Sequence, residues 1–329
     1  MTQSRRLDGG SQGAEVPASP APERELTGVA LGCGNFGGVG SAPEFFGQGI
    51  DETTALAIMD AAWAGGIRWF DTGDAYGGGS SEQFIGRWVR ERRPEGLVLT
   101  TKVFHSTTGT PGDFGLAPKR IRHQLQGSLG RLGVERVDLY LAHEPDDAVP
   151  LEETIATFEA LRAEGLIGAW GLSNYDGAGV REALAVAKPA LVQNSYSLLD
   201  RADEEDVIPL CAEHGIGYVP FGPLAGGWLT GKYRRGEVFP AGSRMTQRPG
   251  PYEAYVSDGV FDGLERLEAE AAARGVDLAT LAFAWVLASP GVTGAVSGPM
   301  RPEHLRPVLA AEGLAIDPAE HERIASFFG

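Results

Sequence analysis

The sequence predicts a single (β/α)8 barrel of the TIM type, with extra helices and a long loop before the last strand. From Val29 onward, a short apolar run, a glycine-rich or polar loop and an amphipathic stretch follow one another repeatedly. This alternation is typical of a parallel sheet that is covered by helices. No stretch of linker-like composition divides the 329 residues, a length that one barrel can accommodate.

Each element is predicted from its own residue pattern. Short apolar runs predict strands at 29–33, 67–71, 97–102, 137–142, 167–172, 190–193, 216–220 and 292–296. Amphipathic stretches predict helices at 52–65, 80–93, 118–132, 151–164, 178–187, 204–214, 258–273 and 302–311. Beyond the minimal repeat we expect helices at 277–288 and 318–327, and a Gly/Pro/Arg-rich loop at 232–257. Loops of that length are usually lids or binding loops.

The amino-terminal segment has a different composition. Residues 1–24 are rich in Ser, Gly, Pro and charged residues, so we expect a disordered tail ahead of a barrel domain at 25–329. The tail lacks the apolar centre of a signal peptide, and the apolar run at 278–288 is too short to span a bilayer. A cytoplasmic protein without a membrane partner is therefore expected.

Charge and cysteine content exclude several functional classes. The chain has 28 Lys+Arg against 44 Asp+Glu and a formal net charge of -16, which argues against nucleic acid or an anionic membrane as partner. Cys33 and Cys211 lie far apart without metal-ligand spacing, so two buried, reduced thiols are expected. A monomer and a homo-oligomer are both compatible with the sequence.

Three successive predicted strands end in polar side chains. The second is followed by Asp71 and Tyr76, the third ends at Lys102, and the fourth is followed by His143. Because the carboxyl ends of the strands converge on one face of a parallel barrel, these four residues are predicted to form a catalytic group.

These residues also allow other interpretations. Asp74 could replace Asp71 as the partner of the lysine, but its place in the loop favours a turn residue. His143, Glu144 and Asp146 could join Asp71 around a metal, yet Lys102 among them would repel a divalent cation, so no metal is expected. Trp170 is interpreted as core or barrel wall.

These motifs, in this order, resemble the aldo-keto reductase family of NADPH-dependent (β/α)8-barrel oxidoreductases. The likeness runs from about Glu25 to the carboxyl terminus. The block at 70–77 with Ser81-Glu82 resembles the family signature that carries the catalytic aspartate and tyrosine. Thr101-Lys102 and 140–143 resemble its lysine and histidine segments, and the segments at 171–175, 192–196 and 223–233 resemble its cofactor-binding stations.

The chemistry of carbonyl reduction requires these residue types. Hydride transfer leaves an alkoxide that must gain a proton, and Tyr76 can donate it. Because an unperturbed phenol has a pKa of about 10, a cation that stabilises the phenolate would improve proton delivery. Lys102 is the candidate cation, Asp71 would keep it charged, and His143 would hold the carbonyl oxygen. The resemblance implies the same four roles.

The resemblance also implies a cofactor site and a substrate site. Ser173, Asn174 and Gln193 would bind the carboxamide, Phe221 would stack on the nicotinamide where the family usually has tyrosine, and Leu224 and Gly226 would approach the pyrophosphate. The complete predicted cofactor set is Gly34, Asn35, Asp71, Ser173, Asn174, Gln193, Phe221, Gly222, Leu224, Gly226, Gly298, Arg301 and His304. The predicted substrate contacts are Phe36, Tyr76, Phe104 and His143.

The predicted adenosine end departs from the family pattern. Pro307 and Val308 stand where acidic and amide groups would bind adenine, and Arg301 with His304 is placed to meet a 2′-phosphate. NADPH is therefore favoured, with NADH possible. The leading function is reduction of a small aldehyde, ketone or sugar carbonyl. The alternatives are a cofactor-binding regulatory or redox-sensing subunit, and a redox-neutral barrel isomerase or lyase.

Overall fold

The computed structural model describes residues 28–328 and contains a barrel of eight parallel strands. The strands are β1 Gly28–Gly32, β2 Trp69–Asp71, β3 Val98–Val103, β4 Val137–Ala142, β5 Ile167–Ser173, β6 Leu191–Gln193, β7 Gly217–Tyr218 and β8 Gly294–Ser297. The fold class predicted from the sequence is confirmed. The predicted tail at 1–24 lies outside the described residues.

The strands follow one another in chain order, and the first pairs with the last. β1 pairs in parallel with both β2 and β8. Between β7 and β8 the barrel closes through Thr293 N–H to Tyr218 O at 2.9 Å and Val296 N–H to Pro220 O at 2.8 Å. β7 is shorter than the predicted 216–220, because Pro220 has no N–H to donate to a ladder.

Helices surround the strands at nearly the predicted positions. They are α1 Glu52–Ala64, α2 Ser80–Arg92, α3 Pro118–Leu132, α4 Leu151–Ala163, α5 Gly177–Val186, α6 Val207–His214, α7 Arg244–Gln247, α8 Asp258–Ala273, α9 Leu278–Ala288, α10 Leu305–Ala311 and α11 Pro318–Ala325. α6 and α10 begin three residues later than predicted, because 3-10 turns at Ala202–Glu204 and Pro302–His304 precede them. Several helices begin at a residue whose side chain caps the first turn; for α11 that residue is Asp317.

Two hydrophobic clusters position the polar face. The inner cluster fills the barrel below its carboxyl end with Ala30, Trp69, Val98, Leu139, Leu141, Ala169, Leu191, Val219 and Val296. The larger outer cluster lies between the strands and the helices. Since the lower barrel is packed with apolar side chains, polar chemistry is confined to the carboxyl ends of the strands.

Helix α9 is apolar on every side because it is buried on every side. It packs against α8, α10 and α11. Within residues 28–328 no single helix is long and apolar enough to cross a membrane. Helices α8 and α9 have the required length and apolar character only when they are taken as a pair, and the two helices are bent by 95° relative to each other.

The long loop at 232–257 is folded rather than open. It contains α7 and a 3-10 turn at Gly250–Tyr255. Tyr233, Phe239 and Tyr255 pack their rings around Trp228. The loop therefore has a small aromatic core that holds it over the carboxyl end of the barrel, where Arg244 reaches Asn35 after β1.

Candidate active site

Three of the four predicted catalytic residues, Asp71, Lys102 and His143, lie where inward-facing positions of the strands leave the apolar core. Trp69 of β2 belongs to the inner cluster, and two residues later Asp71 faces the same side. Leu139 and Leu141 of β4 are followed by His143 in the same way. Side chains two residues apart in a strand share a face, so this alternation delivers the polar groups to the barrel mouth.

Lys102 and Asp71 form a buried ion pair at the centre of this face. Lys102 Nζ donates to Asp71 Oδ1 at 2.5 Å and to Thr72 O at 2.9 Å, and its side chain is 1% exposed. Burial lowers the pKa of Lys102, but the charges and hydrogen bonds of Asp71 and Tyr76 together outweigh that effect and the net pKa is raised, so the ammonium stays charged. The predicted pairing of Lys102 with Asp71 is confirmed.

Asp74, the alternative partner, is buried in the turn and does not reach the ammonium group. Its backbone N–H donates to Lys102 O at 3.1 Å. Burial, and then the charge of Glu82, raise the pKa of Asp74 well above its ordinary value, whereas the charges of Arg120 and Arg131 oppose this. Asp74 is therefore a turn residue, as expected.

Tyr76 is held beside this pair by a turn of unusual backbone geometry. The 3-10 turn Tyr76–Gly79 places Gly77 at φ 59°, and a Cβ there would lie 2.7 Å from Phe36 O. The Tyr76 hydroxyl lies 3.3 Å from His143 Nε2, and Lys102 Nζ lies 5.1 Å from the centre of the phenol ring. Burial raises the pKa of Tyr76 above its ordinary value, and the Lys102 charge offsets this only in part.

His143 is neutral in this environment. Burial, and then the charges of Lys102 and His105, lower its pKa well below the ordinary value. Its Nδ1 is buried without a hydrogen-bond partner among residues 28–328, so a proton on Nδ1 would be an unpaired donor. The tautomer with the proton on Nε2 therefore faces the Tyr76 hydroxyl and can donate to a carbonyl oxygen.

The buried carboxylate of Glu82, which the site prediction did not include, contacts the strand that carries Lys102. Glu82 is fully buried on α2, accepts from Thr101 Oγ1 at 2.5 Å and pairs with Arg131 Nε at 2.7 Å. Thr101 precedes Lys102 on β3, so Glu82 helps to fix the strand that carries the lysine. Its place in the Ser81-Glu82 part of the signature was the available signal.

A cleft of about 1180 Å³ runs from this group of polar residues across the barrel mouth. It begins at Asp71 and Tyr76, passes Phe221 and ends at Arg301 and His304. The predicted cofactor residues that line it are Gly34, Asn35, Asp71, Gln193, Phe221, Gly222, Leu224, Gly226, Gly298, Arg301 and His304. The cleft is continuous, so one elongated ligand could contact both ends.

Comparison with known proteins agrees with this geometry. The model of the aldo/keto reductase family matches residues 29–328. The chain belongs to this family. It is 36% identical over 288 residues to an uncharacterised oxidoreductase, YrpG, of Bacillus subtilis, covering 83% of this chain and 86% of that protein. It is 30% identical over 314 residues to the NADH-specific methylglyoxal reductase of Escherichia coli, covering 92% and 95%.

A solved structure gives the same result for the fold. The glycerol dehydrogenase of Gluconobacter oxydans superposes with a TM-score of 0.81 at 27% identity, covering 95% of this chain and 94% of that one. This aldo/keto reductase therefore shares an oxidoreductase barrel with its relatives over almost the whole domain.

Two predicted cofactor residues of the aldo/keto reductase lie beside the cleft rather than along it. Ser173 is buried at the end of β5. Asn174 adopts a left-handed φ of 61° and donates to His143 O at 2.8 Å and to Ser173 Oγ at 3.2 Å. Gln193 lines the cleft and donates to Asp71 Oδ2 at 2.9 Å. Asn174 thus also fixes the backbone of His143.

Several cations of the reductase line the cleft but were not in the predicted site, among them Lys232 and Arg244. Lys232 follows the glycine-rich segment, and Arg244 of α7 donates to Asn35 Oδ1. The segment at 223–233 contained a signal for Lys232. Arg244 lies 209 residues from Asn35 in sequence, so no local pattern connects them.

The backbone between these cations and the catalytic group is shaped by glycine. Gly226 has φ 63°, and a Cβ there would lie 2.5 Å from the Tyr252 ring. Only glycine lets the backbone make this turn so close to the Tyr252 ring.

The far end of the cleft is lined by Arg301 and His304. Arg301 Nε donates to His304 Nε2 at 2.9 Å, and both residues are exposed. Burial, and then the charges of Arg301 and Lys232, lower the pKa of His304. Arg306 is directed elsewhere, since it pairs with Asp277 at 3.1 Å. The structure thus brings together Arg301 and His304, as predicted, with Lys232.

Of the two phenylalanines predicted to contact the substrate, one is buried in the core and the other is partly exposed. Phe36 is 0% exposed in the outer hydrophobic cluster, so that prediction is corrected: the backbone after β1 turns its ring into the core. Phe104 is partly exposed after β3, with its ring 5.8 Å from that of Phe114, which is 58% exposed. Phe104 and Phe114 can therefore form an aromatic wall of the barrel mouth.

Three other expectations can be compared with the structure. No group of three or more His, Cys, Asp or Glu side chains suited to a metal occurs within residues 28–328. Cys33 and Cys211 are free and buried. Trp170 is fully buried and donates from Nε1 to Glu159 Oε1 at 2.6 Å, so its assignment to the core is confirmed.

Proposed function

We propose that the protein is an NADPH-dependent reductase of an aldehyde, ketone or sugar carbonyl, with Tyr76 as the general acid. The observation that carries the proposal is the buried Lys102–Asp71 pair beside a tyrosine hydroxyl that lies 3.3 Å from the neutral His143. A carbonyl oxygen bound between Tyr76 and His143 would meet a proton donor and a hydrogen-bond donor at once.

The chain's own residues provide the proton chemistry. A bound nicotinamide cofactor would supply the hydride to the carbonyl carbon. His143 donates from Nε2 and orients the oxygen, and Tyr76 releases its proton as charge develops there. The ammonium of Lys102 stabilises the resulting phenolate, and Asp71 keeps that ammonium charged inside the barrel.

The cleft fits a dinucleotide phosphate. Phe221 and Gly226 both line the cleft, where the Phe221 ring would stack on the nicotinamide and the backbone at Gly226 would approach the phosphates. In a chain with a net charge of -16, the cations Lys232, Arg244 and Arg301 along one cleft supply the local attraction that phosphates need. The group at Arg301 and His304 favours a 2′-phosphate and hence NADPH.

The proposal is tested by the oxidation of NADPH, and in parallel of NADH, with a panel of aliphatic, aromatic and hydroxylated aldehydes. Steady turnover with a preference for NADPH is the expected result. Tight cofactor binding without turnover of any carbonyl would instead indicate a regulatory subunit. Product formation without net consumption of cofactor would indicate an isomerase or lyase.

A further inference from the structure

A second imidazole and a carboxylate lie next to the catalytic histidine. His105 follows β3 and Glu144 follows His143, and His105 Nε2 lies 3.2 Å from Glu144 Oε1. The His105 ring lies edge to face against the His143 ring, with centroids 4.8 Å apart. The two side chains are 27% and 43% exposed, so both can be reached from the barrel mouth.

Hydrogen bonds from Arg120 and to Asp146 fix the two loops that carry this pair. Arg120 of α3 donates to His105 O at 2.7 Å and to Asp113 Oδ1 at 2.7 Å. Asp146 Oδ2 accepts from Leu116 N–H at 2.6 Å and so ties the loop after β4 to the loop after β3. Since the bond between Asp146 and Leu116 also joins the two loops, the His105–Glu144 pair is not their sole link.

The chemistry of the pair limits what it can bind. The hydrogen bond from His105, and then the charge of His105, lower the pKa of Glu144, against the effect of its partial burial, so this carboxyl is ionised and accepts hydrogen bonds only. A substrate carboxylate or phosphate would be repelled by Glu144. A purely apolar chain would remove water from both polar groups without replacing their hydrogen bonds. A hydroxyl group satisfies the pair, because it donates to the carboxylate and can accept from the imidazole.

We infer that His105 and Glu144 form a specificity-determining subsite for a hydroxyl on the carbon next to the reacting carbonyl. The contact between the His105 and His143 rings places the subsite beside the oxygen that His143 would hold. The substrate class is then a small 2-hydroxy aldehyde or hydroxy ketone. This inference rests on the proposed function and adds to it a recognition element.

The test compares matched substrates with NADPH as cofactor. In the unmodified enzyme, kcat/KM for 2-hydroxypropanal should exceed that for propanal by about 10- to 150-fold, the equivalent of one hydrogen bond to a charged group. Glu144→Ala and His105→Phe should each bring that ratio close to one, and the phenylalanine keeps the ring contact with His143. The control is Asp147→Asn, an exposed neighbour that should leave the ratio unchanged.

Three results would overturn the inference. One is equal turnover of the two aldehydes by the unmodified enzyme. Another is a ratio that stays high in both variants. The third is a loss in kcat/KM by the same factor for both aldehydes, as expected if the pair only tied the loops together. Failure of every carbonyl to be reduced would instead refute the proposed function.

Discussion

Replacing Lys102 by methionine tests whether the lysine stabilises the phenolate of Tyr76. Methionine retains most of the length and apolar volume of the buried side chain and removes its charge. Because the Lys102 charge lowers the pKa of Tyr76, its loss should raise that pKa further. As an acid in reduction, Tyr76 must be protonated, so activity is present below its pKa and lost above it. The alkaline limb of the pH–rate profile should therefore move to higher pH.

The expected loss of rate follows from the distance between the two groups. Lys102 Nζ lies 5.1 Å from the centre of the Tyr76 ring. At an effective dielectric constant of about 20, a unit charge at that distance contributes about 3 kcal/mol to a full negative charge. If the phenolate is well developed in the transition state, turnover at neutral pH should fall by about 100-fold.

Stopped-flow and steady-state oxidation of NADPH over a range of pH measures both effects. The single variant leaves the buried Asp71 carboxylate with the Gln193 amide as its remaining side-chain partner, and breaking a buried pair costs roughly 3–5 kcal/mol of stability. The double variant Asp71→Asn/Lys102→Met carries neither charge and serves as the matched control. Its profile should move less, because the Asp71 charge that raises the pKa of Tyr76 is also gone.

The reasoning is refuted by one specific outcome. If a folded Lys102→Met enzyme retains measurable turnover with the alkaline limb of the unmodified enzyme, the lysine does not tune the acid. Thermal unfolding in parallel identifies a variant that is inactive because it is not folded. In that case the double variant decides, since it should stay folded and still show a displaced profile.

Three further predictions concern the acid, the cofactor and stability. Tyr76→Phe should retain cofactor affinity, measured by quenching of protein fluorescence, and lose roughly 10²–10⁴-fold in turnover; near-normal turnover would remove the tyrosine from the mechanism. Arg301→Ala should raise KM for NADPH by the equivalent of about 1.5–3 kcal/mol and leave KM for NADH almost unchanged, whereas equal losses would mean that Arg301 only holds the loop. Glu270 has its pKa lowered from 4.5 to about 2 by hydrogen bonds from Arg323 and Arg274, so its contribution to stability is present above pH 4.5 and is lost as the pH falls toward 2. Glu270→Gln should therefore cost about 1 kcal/mol in urea unfolding at pH 7 and progressively less in acid, and a constant deficit at every pH would contradict this account.

The grouping of Asp71, Lys102 and His143 could be predicted from the sequence because parallel strands obey simple geometry. Side chains alternate along a strand and the carboxyl ends of all strands meet at one face, so apolar runs that end in Asp71, Lys102 and His143 indicate one site. Phe36 is a different case, because it lies in a loop that is bridged to Ile50, and its ring packs into the outer hydrophobic cluster instead of facing the barrel mouth.

Other features depended on contacts between distant segments. Arg244 meets Asn35 only after the loop at 232–257 has folded around Trp228, and the buried Glu82 finds its partners on β3 and α3. Such pairs have no spacing rule in the sequence. His105 and Glu144 are a milder case, since each follows a predicted strand, but their contact depends on how Arg120 and Asp146 shape the two loops.

The net shift in the pKa of Tyr76 is opposite in direction to the shift expected from the sequence. From the sequence, a neighbouring lysine was expected to bring the phenol closer to neutrality. In the folded chain, burial raises the pKa of Tyr76 by more than Lys102 lowers it, and the charge of Asp71 adds to the increase. The phenol therefore stays protonated through neutral pH and is ready to act as an acid. Carbonyl reduction should then hold a steady rate across neutral pH, while alcohol oxidation, which needs the phenolate as base, should rise with pH.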